Sequence, residues 1–508
     1  KNLGNVVARR GDERAAEKYY LSARRKFVKI GDAVELTMSD NSLANTYAEL
    51  HDFRKAETFY NRALETARRA KMRVTEAEIE ASLGNLALFR GRFGEALRFL
   101  EMSRQKFDAL GMPHQTAVAE LEIADIYLEL NLAREAFAIY EKIADEFARL
   151  KMRGEEARAR ANFGRAAILL NETDKARKEL KKSARLYRSE KNEIGAAVVK
   201  MTEANLELDR KNFTSALLLA TEAGELLKVS ENLRHRLAAE WLRAEALGNL
   251  VGTNAAEKIF EAVLNAARKK EQPQMAQTAL NSLGNLFWRK GETNKAERFF
   301  KSAIKSIETL RAPLPAEEFR MAFLASRLAP FENLARVFLT ENKIKDAFLT
   351  IEKARARSLS ESLGGRNLAS SNNASSKQLT EKLTALREEL NWFYSRLSRA
   401  ESAEIPHLQT EAQKRERQIA DLLRQIGSTA GESASAVKDE SLDFGKLQKR
   451  LGSSRALIEF VNFDGRFSAF VVTDKRIYFR ENLAAETEIF ALLEGLRFQF
   501  GALRYGAA

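Results

Sequence analysis

The chain has 508 residues, 45% of them hydrophobic and 31% charged, with a formal net charge of +13. It contains no cysteine, which excludes disulfides, a cysteine-based zinc site and a cysteine nucleophile within these residues. Only six prolines and 25 glycines interrupt it, and no apolar run reaches the length of about 18 residues that a membrane-spanning helix needs. The sequence opens at Lys1 inside a repeat, with no Met and no signal-type apolar segment, and reads as a fragment with cytoplasmic residence as the expectation.

A three-residue signature, Leu3-Gly4-Asn5, returns as Leu43-Ala44-Asn45, Leu83-Gly84-Asn85 and Leu283-Gly284-Asn285. In the same register stand Ile123-Ala124-Asp125, Phe163-Gly164-Arg165, Ala204-Asn205 and Ala244-Glu245, so a small residue recurs every 40 positions from 4 to 284. A fixed period of this length specifies stacked helical units in which each contacts its neighbours. Each unit reads as two helices. The first carries the small residue. The second sets Ala16, Tyr20 and Ala23 on one face, then Ala56, Tyr60 and Ala63, and in later copies Ala136 and Tyr140, Ala256 and Phe260, or Ala296, Phe300 and Ala303. The steric logic is that Gly or Ala on the first helix admits the second at close range. The sixth and seventh units are degenerate, with Glu203 and Arg243 where the leucine belongs.

After the eighth unit the step lengthens: the next small residue is Ala335, 51 beyond Gly284, and the added length holds Pro313, Pro315 and Pro330. The expected divisions are a solenoid over 1–310, a final longer unit over 311–363, a flexible linker over 364–378, a helical hairpin over 379–427, a second linker over 428–441 and an incomplete α/β domain over 442–508. The hairpin rests on the heptad seam Leu379, Leu383, Leu386, Leu390, Phe393, Leu397 and a returning face of Ile419, Leu422, Leu423 and Ile426. In the last part, residues 456–461 read as a strand, Asp464-Gly465 as a hairpin turn, 467–472 and 476–479 as further strands, and about 484–503 as a helix.

The fold class is therefore mostly α. The small-residue pair with a downstream aromatic resembles the tetratricopeptide repeat (TPR), which implies a right-handed superhelix of about nine helix pairs, and HEAT-type pairs suit the same period. The whole order of elements resembles bacterial TPR arrays fused to CHAT, a caspase-like peptidase module. The residues that carry this resemblance are Glu317-Glu318-Phe319-Arg320, the helix with Glu352, Arg355 and Arg357, and Ala456-Leu457-Ile458-Glu459-Phe460 followed by Ala469-Phe470-Val471-Val472-Thr473. In that family a Cys–His pair hydrolyses peptide bonds. Neither role can be assigned here, because cysteine is absent and His51, His114, His235 and His407 lie in regions read as helical before the domain begins. The chain is expected to be inactive by itself, with no cofactor and no metal site.

Two surfaces are candidates. Asn5, Asn45, Asn85, Asp125, Arg165, Asn205, Glu245 and Asn285 follow the small packing residue directly and form a ladder. The resemblance to TPR proteins puts them in a groove that holds an extended peptide, since a carboxamide offers both donor and acceptor. The alternative is that they join neighbouring helices and set the stacking. Lys178, Lys181, Lys182 and Arg185 make a basic helical stripe within residues 151–200, a window with 14 Lys/Arg against 7 Asp/Glu. An ordinary solvated face is the leading reading of that stripe and a nucleic-acid contact the lesser one. The expected function is recognition of a protein or peptide that regulates a CHAT peptidase domain, with a pure scaffold as the first alternative and a nucleic-acid-linked regulator as the second.

Overall fold

In a computed structural model the described residues are 1–8, 13–228, 230, 232–314, 317–364, 443–504 and nine positions between 382 and 422. The helices of the first four units are α1 (Asn2–Ala8) and α2 (Glu13–Ile30), α3 (Ala33–Glu49) and α4 (Phe53–Arg69), α5 (Arg73–Phe89) and α6 (Phe93–Ala109), α7 (Pro113–Glu129) and α8 (Ala133–Arg149). The next four are α9 (Arg153–Leu169) and α10 (Thr173–Ser189), α11 (Glu193–Asp209) and α12 (Phe213–Leu226), α13 (Leu233–Leu250) and α14 (Thr253–Lys269), α15 (Pro273–Arg289) and α16 (Thr293–Arg311). A short helix, α17 (Glu317–Ala325), precedes the ninth pair, α18 (Ala329–Thr340) and α19 (Ile344–Gly364). The first helix of each pair is called A and the second B.

The regularity of the stack begins in its turns. Left-handed residues recur every 20 positions, at Gly31, His51, Lys71, Gly91, Gly111, Asn131, Lys151, Asn171, Lys191 and Lys211. Each follows a helix as the residue that stops it. At Lys71 the pattern is Lys71 N–H to Arg68 O and Met72 N–H to Ala67 O, at 3.2 and 2.9 Å, and it repeats at Asn131 and Lys151. This double closure satisfies the last carbonyls of a helix and fixes the angle at which the next one starts. His51 belongs to this set, so it sits in a turn and not in a helix as its surroundings suggest.

Between A and B helices the small residue does what its size allows. A Cβ on Gly84 would come within 2.6 Å of Leu100, on Gly164 within 2.7 Å of Leu180 and on Gly284 within 2.5 Å of the Phe300 ring. No Cβ fits at that range, so with Leu100, Leu180 and Phe300 so placed these three positions call for glycine. Leu100 and Phe300 are fully buried in consequence.

The array also returns on itself. Glu271, in the turn before α15, lies 3.4 Å from Arg54 and 3.3 Å from Arg90. Gln274 Nε2 donates to Leu88 O at 3.1 Å, and Leu310 covers Gly91. Arg234 reaches Glu129 at 3.3 Å and lies over the Phe89 ring. In this seam the A-to-B junctions of the second, third and fourth units meet the starts of the seventh and eighth. Helix α17 fills the remaining space: Phe319 packs on Tyr127 and Phe323 on Phe93, with ring centroids 6.1 and 5.6 Å apart, and Arg327 donates to Glu129 O at 3.1 Å. The lengthened step after the eighth unit is thus the helix that closes the seam.

Beyond α19 come α20 (Phe444–Leu451), the antiparallel sheet β1 (Leu457–Phe463), β2 (Arg466–Val472) and β3 (Ile477–Ala485), and α21 (Glu486–Arg504). Asp464 and Gly465 both take positive φ, as a two-residue turn of this kind requires. β3 runs past Phe479 to Ala485, where it pairs with Arg466 across an irregularity opposite Phe467 and Ala469, and α21 starts after it. Phe348 of α19 anchors this module through edge contacts to Phe444 and Phe470 at 5.8 and 5.7 Å. The other sheet face leaves Ile458 and Phe460 exposed. Of the expected hairpin, Leu386 and Leu422 pack on the main core and Arg415 Nε bonds Glu389 at 2.6 Å, while Leu379, Leu383, Leu390, Trp392, Phe393, Leu397, His407, Ile419, Leu423 and Ile426 lie outside the described residues. So do the two linker segments apart from Gly364, and the side chains of Arg355 and Arg357.

Candidate binding face

The ladder residues stand one position after the small residue, on the A helices, and most are held by hydrogen bonds inside the array. Where the B helix supplies a tyrosine, its hydroxyl donates to the ladder residue of the same unit: Tyr20 to Asn5 at 2.8 Å, Tyr60 to Asn45 at 2.6 Å and Tyr140 to Asp125 at 2.6 Å. In three units where the B helix supplies leucine or phenylalanine, the ladder residue turns to the next A helix, whereas Arg165, in the unit with Leu180, turns to Asn162 of its own helix. Asn85 Nδ2 donates to Glu122 at 2.8 Å, Ser282 to Glu245, and Asn333 to Asn285 at 2.8 Å.

The richest part spans α5, α7 and α9. Asp125 accepts from Tyr140, from Asn162 Nδ2 at 2.7 Å and from Arg158. Arg165 donates to Asn162 at 3.2 Å and approaches Glu129 at 3.7 Å. Burial pushes the Glu122 carboxyl up, with Arg158 and Asn85 opposing it. Its Oε2 has no hydrogen-bond partner although the residue is only 8% exposed. At Glu129 burial also raises the carboxyl, but Arg234, Arg165 and Arg327 outweigh it and leave it below the ordinary value. His235 beside this cluster is pushed down to about 4 by burial and by Arg234, Arg165 and Arg158, so it is neutral at pH 7.

Asn45 and Asn205 are exposed, whereas Asn5, Asn85, Asp125, Arg165, Glu245 and Asn285 are half-buried. The row is therefore a string of preset donors and acceptors across the second to sixth units with an open carboxamide near each end. On α10, Lys178, Lys181 and Arg185 are exposed, but Lys182 is half-buried and donates to Glu179 at 2.8 Å, which Arg160 also holds at 2.8 Å. Trp241 donates to Ser282 at 2.9 Å and Trp288 lies under Arg336 at 4.2 Å, so both serve packing.

A second series at multiples of 40 carries charge between A and B helices. Asp40 pairs with Arg24 at 2.5 Å, Glu80 with Arg68 and Lys106 at 2.9 and 2.6 Å, Glu120 with Lys142 at 3.1 Å, Arg160 with Glu179 at 2.8 Å and Lys200 with Glu222 at 2.5 Å. The sign inverts at Arg160 and Lys200, and the partners invert with it. This series is legible in the sequence as a 40-residue recurrence of charge one turn before the small residue.

Residues 34–109 and 277–309 match models described as tetratricopeptide repeat. The array carries tetratricopeptide repeats. No curated protein matches the chain in sequence. Among solved structures it is similar to a Rap protein complexed with competence and sporulation factor, at 14% identity over 70% of this chain and 99% of that one, TM-score 0.44. It is also similar to the apo quorum sensor NprR from B. thuringiensis, at 13% identity, 67% and 99% coverage and TM-score 0.35. A STAND protein with a tetratricopeptide repeat sensor from Pyrococcus horikoshii has 11% identity, 63% and 52% coverage and TM-score 0.39. Among the described residues no helix is long and apolar enough to cross a membrane, and no cluster of His, Asp and Glu suits a metal ion.

Proposed function

We propose that the chain is a protein-recognition region: the A-helix row from Asn45 to Asn205 holds an extended segment of a partner protein, and the terminal module passes that event to a regulated domain. The observation that carries this reading is the preset row itself. Its donors and acceptors are fixed by bonds to neighbouring helices, so a bound backbone meets groups that need no reordering. The resemblance of β1 and β2 to the opening strands of CHAT supports a caspase-like peptidase as the regulated domain. Peptide hydrolysis there requires a thiolate, and these 508 residues hold no cysteine, so the role read for this chain is recognition and not chemistry.

The test is capture of native partners by the wild-type chain and by an Asn45→Ala/Asn205→Ala variant. Both side chains are exposed, so the variant is expected to keep its helicity and lose most of the captured material. Equal capture by a folded variant removes the row as the binding face.

A further inference from the structure

The seam closes a structure that stacking alone would leave open. Phe319, Phe323 and Arg327 are spaced by four, so they extend as one stripe from α17 into the turn that follows it, and they meet two elements of the early units: Phe323 meets Phe93 at the start of α6, while Phe319 and Arg327 meet Tyr127 and the Glu129 carbonyl at the end of α7. Both phenylalanines are fully buried. Besides Leu310 on Gly91, the seam is held by the ends of long side chains, with the Arg54 side chain 83% exposed and that of Glu271 40% exposed. Contacts of the last kind lie near the surface, whereas within a unit the leucine or ring on the glycine backbone is enclosed between two long helices. Pro313 before α17 and Pro330 after it prevent the helix from fusing with α16 or with the interior of α18, so it can move as a separate piece. On its other side α17 packs on α19, which carries the terminal sheet through Phe348.

We propose that the seam is a releasable clasp, with the stripe Phe319–Phe323–Arg327 as its tongue: in the closed state the early units are bound to the seventh and eighth, and withdrawal of α17 parts them and shifts the platform under the terminal sheet. The inference does not depend on what the A-helix row binds.

The natural absence of cysteine permits a direct measurement. Cysteines placed at the exposed Arg134 and Lys269 take spin labels on the two sides of the seam. The otherwise unchanged chain is expected to give one narrow distance distribution. Phe319→Ala/Phe323→Ala is expected to move most of that distribution to longer distances while helicity stays near the wild-type level. Glu271→Lys, which leaves Phe319 and Phe323 in place and sets like charges against Arg54 and Arg90, is expected to move a smaller share. Distributions unchanged in both variants overturn the proposal. If the double variant loses helicity, Glu271→Lys decides alone: a longer population supports the clasp and an unchanged one refutes it.

Discussion

The eighth unit and the sixth are built on one register and differ in how they fill it. In the eighth, Gly284 receives the fully buried Phe300 ring, Leu283 and Leu286 are buried beside it, and Asn285 is joined to Asn333. In the sixth, Ala204 and Ala220 occupy the corresponding places, the B helix α12 stops at Leu226 after 14 residues, and Asn205 is exposed. The core there is largely alanine, with Ala197, Ala204, Ala220, Ala223 and Ala239 in one small cluster. The difference teaches that helix position in this array is set by what is absent, a side chain at the small position, while the strength of a unit is set by the bulk placed against it.

That contrast breaks most plainly under truncation. Phe300→Ala should cost about 4 kcal/mol, the usual loss for an aromatic side chain in a closed core, whereas Ala220→Gly should cost only about 1 kcal/mol, mostly through helix propensity. Urea unfolding of the two variants checks the ratio, and equal losses would mean that bulk does not grade the units. A smaller effect sharpens the same contrast through charge. Arg160→Ala leaves the buried Glu179 with Lys182 as its remaining cation and should cost about 3 kcal/mol. Burial raises the Glu179 carboxyl, yet Lys182 and Arg160 outweigh it and hold it below the ordinary value of 4.5. Its stabilisation is therefore present above pH 4.5 and fades as pH falls through the lower folded value, so the variant should lose less on acidification than the wild type.

The smallest expected change has the opposite sign. Glu122 is raised above 4.5 by burial, so its contribution is present below that value and is lost as pH rises through the folded one. Glu122→Gln keeps an oxygen for Asn85 and removes the buried charge, and should stabilise the protein at pH 7 by on the order of 1 kcal/mol. Thermal midpoints at pH 7 and pH 4 check it: the gain should be present at the first and much reduced at the second.

The sequence carries the stack in full view because a packing constraint that repeats every 40 residues leaves a periodic mark, from Gly4 to Gly284. The strands around Asp464-Gly465 are legible for a similar local reason. The seam leaves no such mark. Its contacts join residues from 105 positions apart, Arg234 with Glu129, to 230 apart, Phe323 with Phe93 (323 − 93), and neither end shows a pattern by itself. The ladder is half legible: its spacing places every member on one edge of the A helices, but whether a carboxamide meets a tyrosine depends on the B-helix residue 15 positions later, as at Asn45 and Tyr60. The extension of β3 to Ala485 was hidden because Arg480-Glu481-Asn482 reads as a polar loop, while the positive φ of Asn482 lets the strand continue through it.

The seam has a consequence for how such a chain can change over generations. An open row of repeats tolerates duplication or deletion of a unit, since each neighbour is replaced by an equivalent one. Here Glu271 must find Arg54 and Arg90, and Phe319 must find Tyr127. Removing one 40-residue block between them would displace every pair at once, so closure turns a sequence that can be copied freely into one whose copy number is fixed.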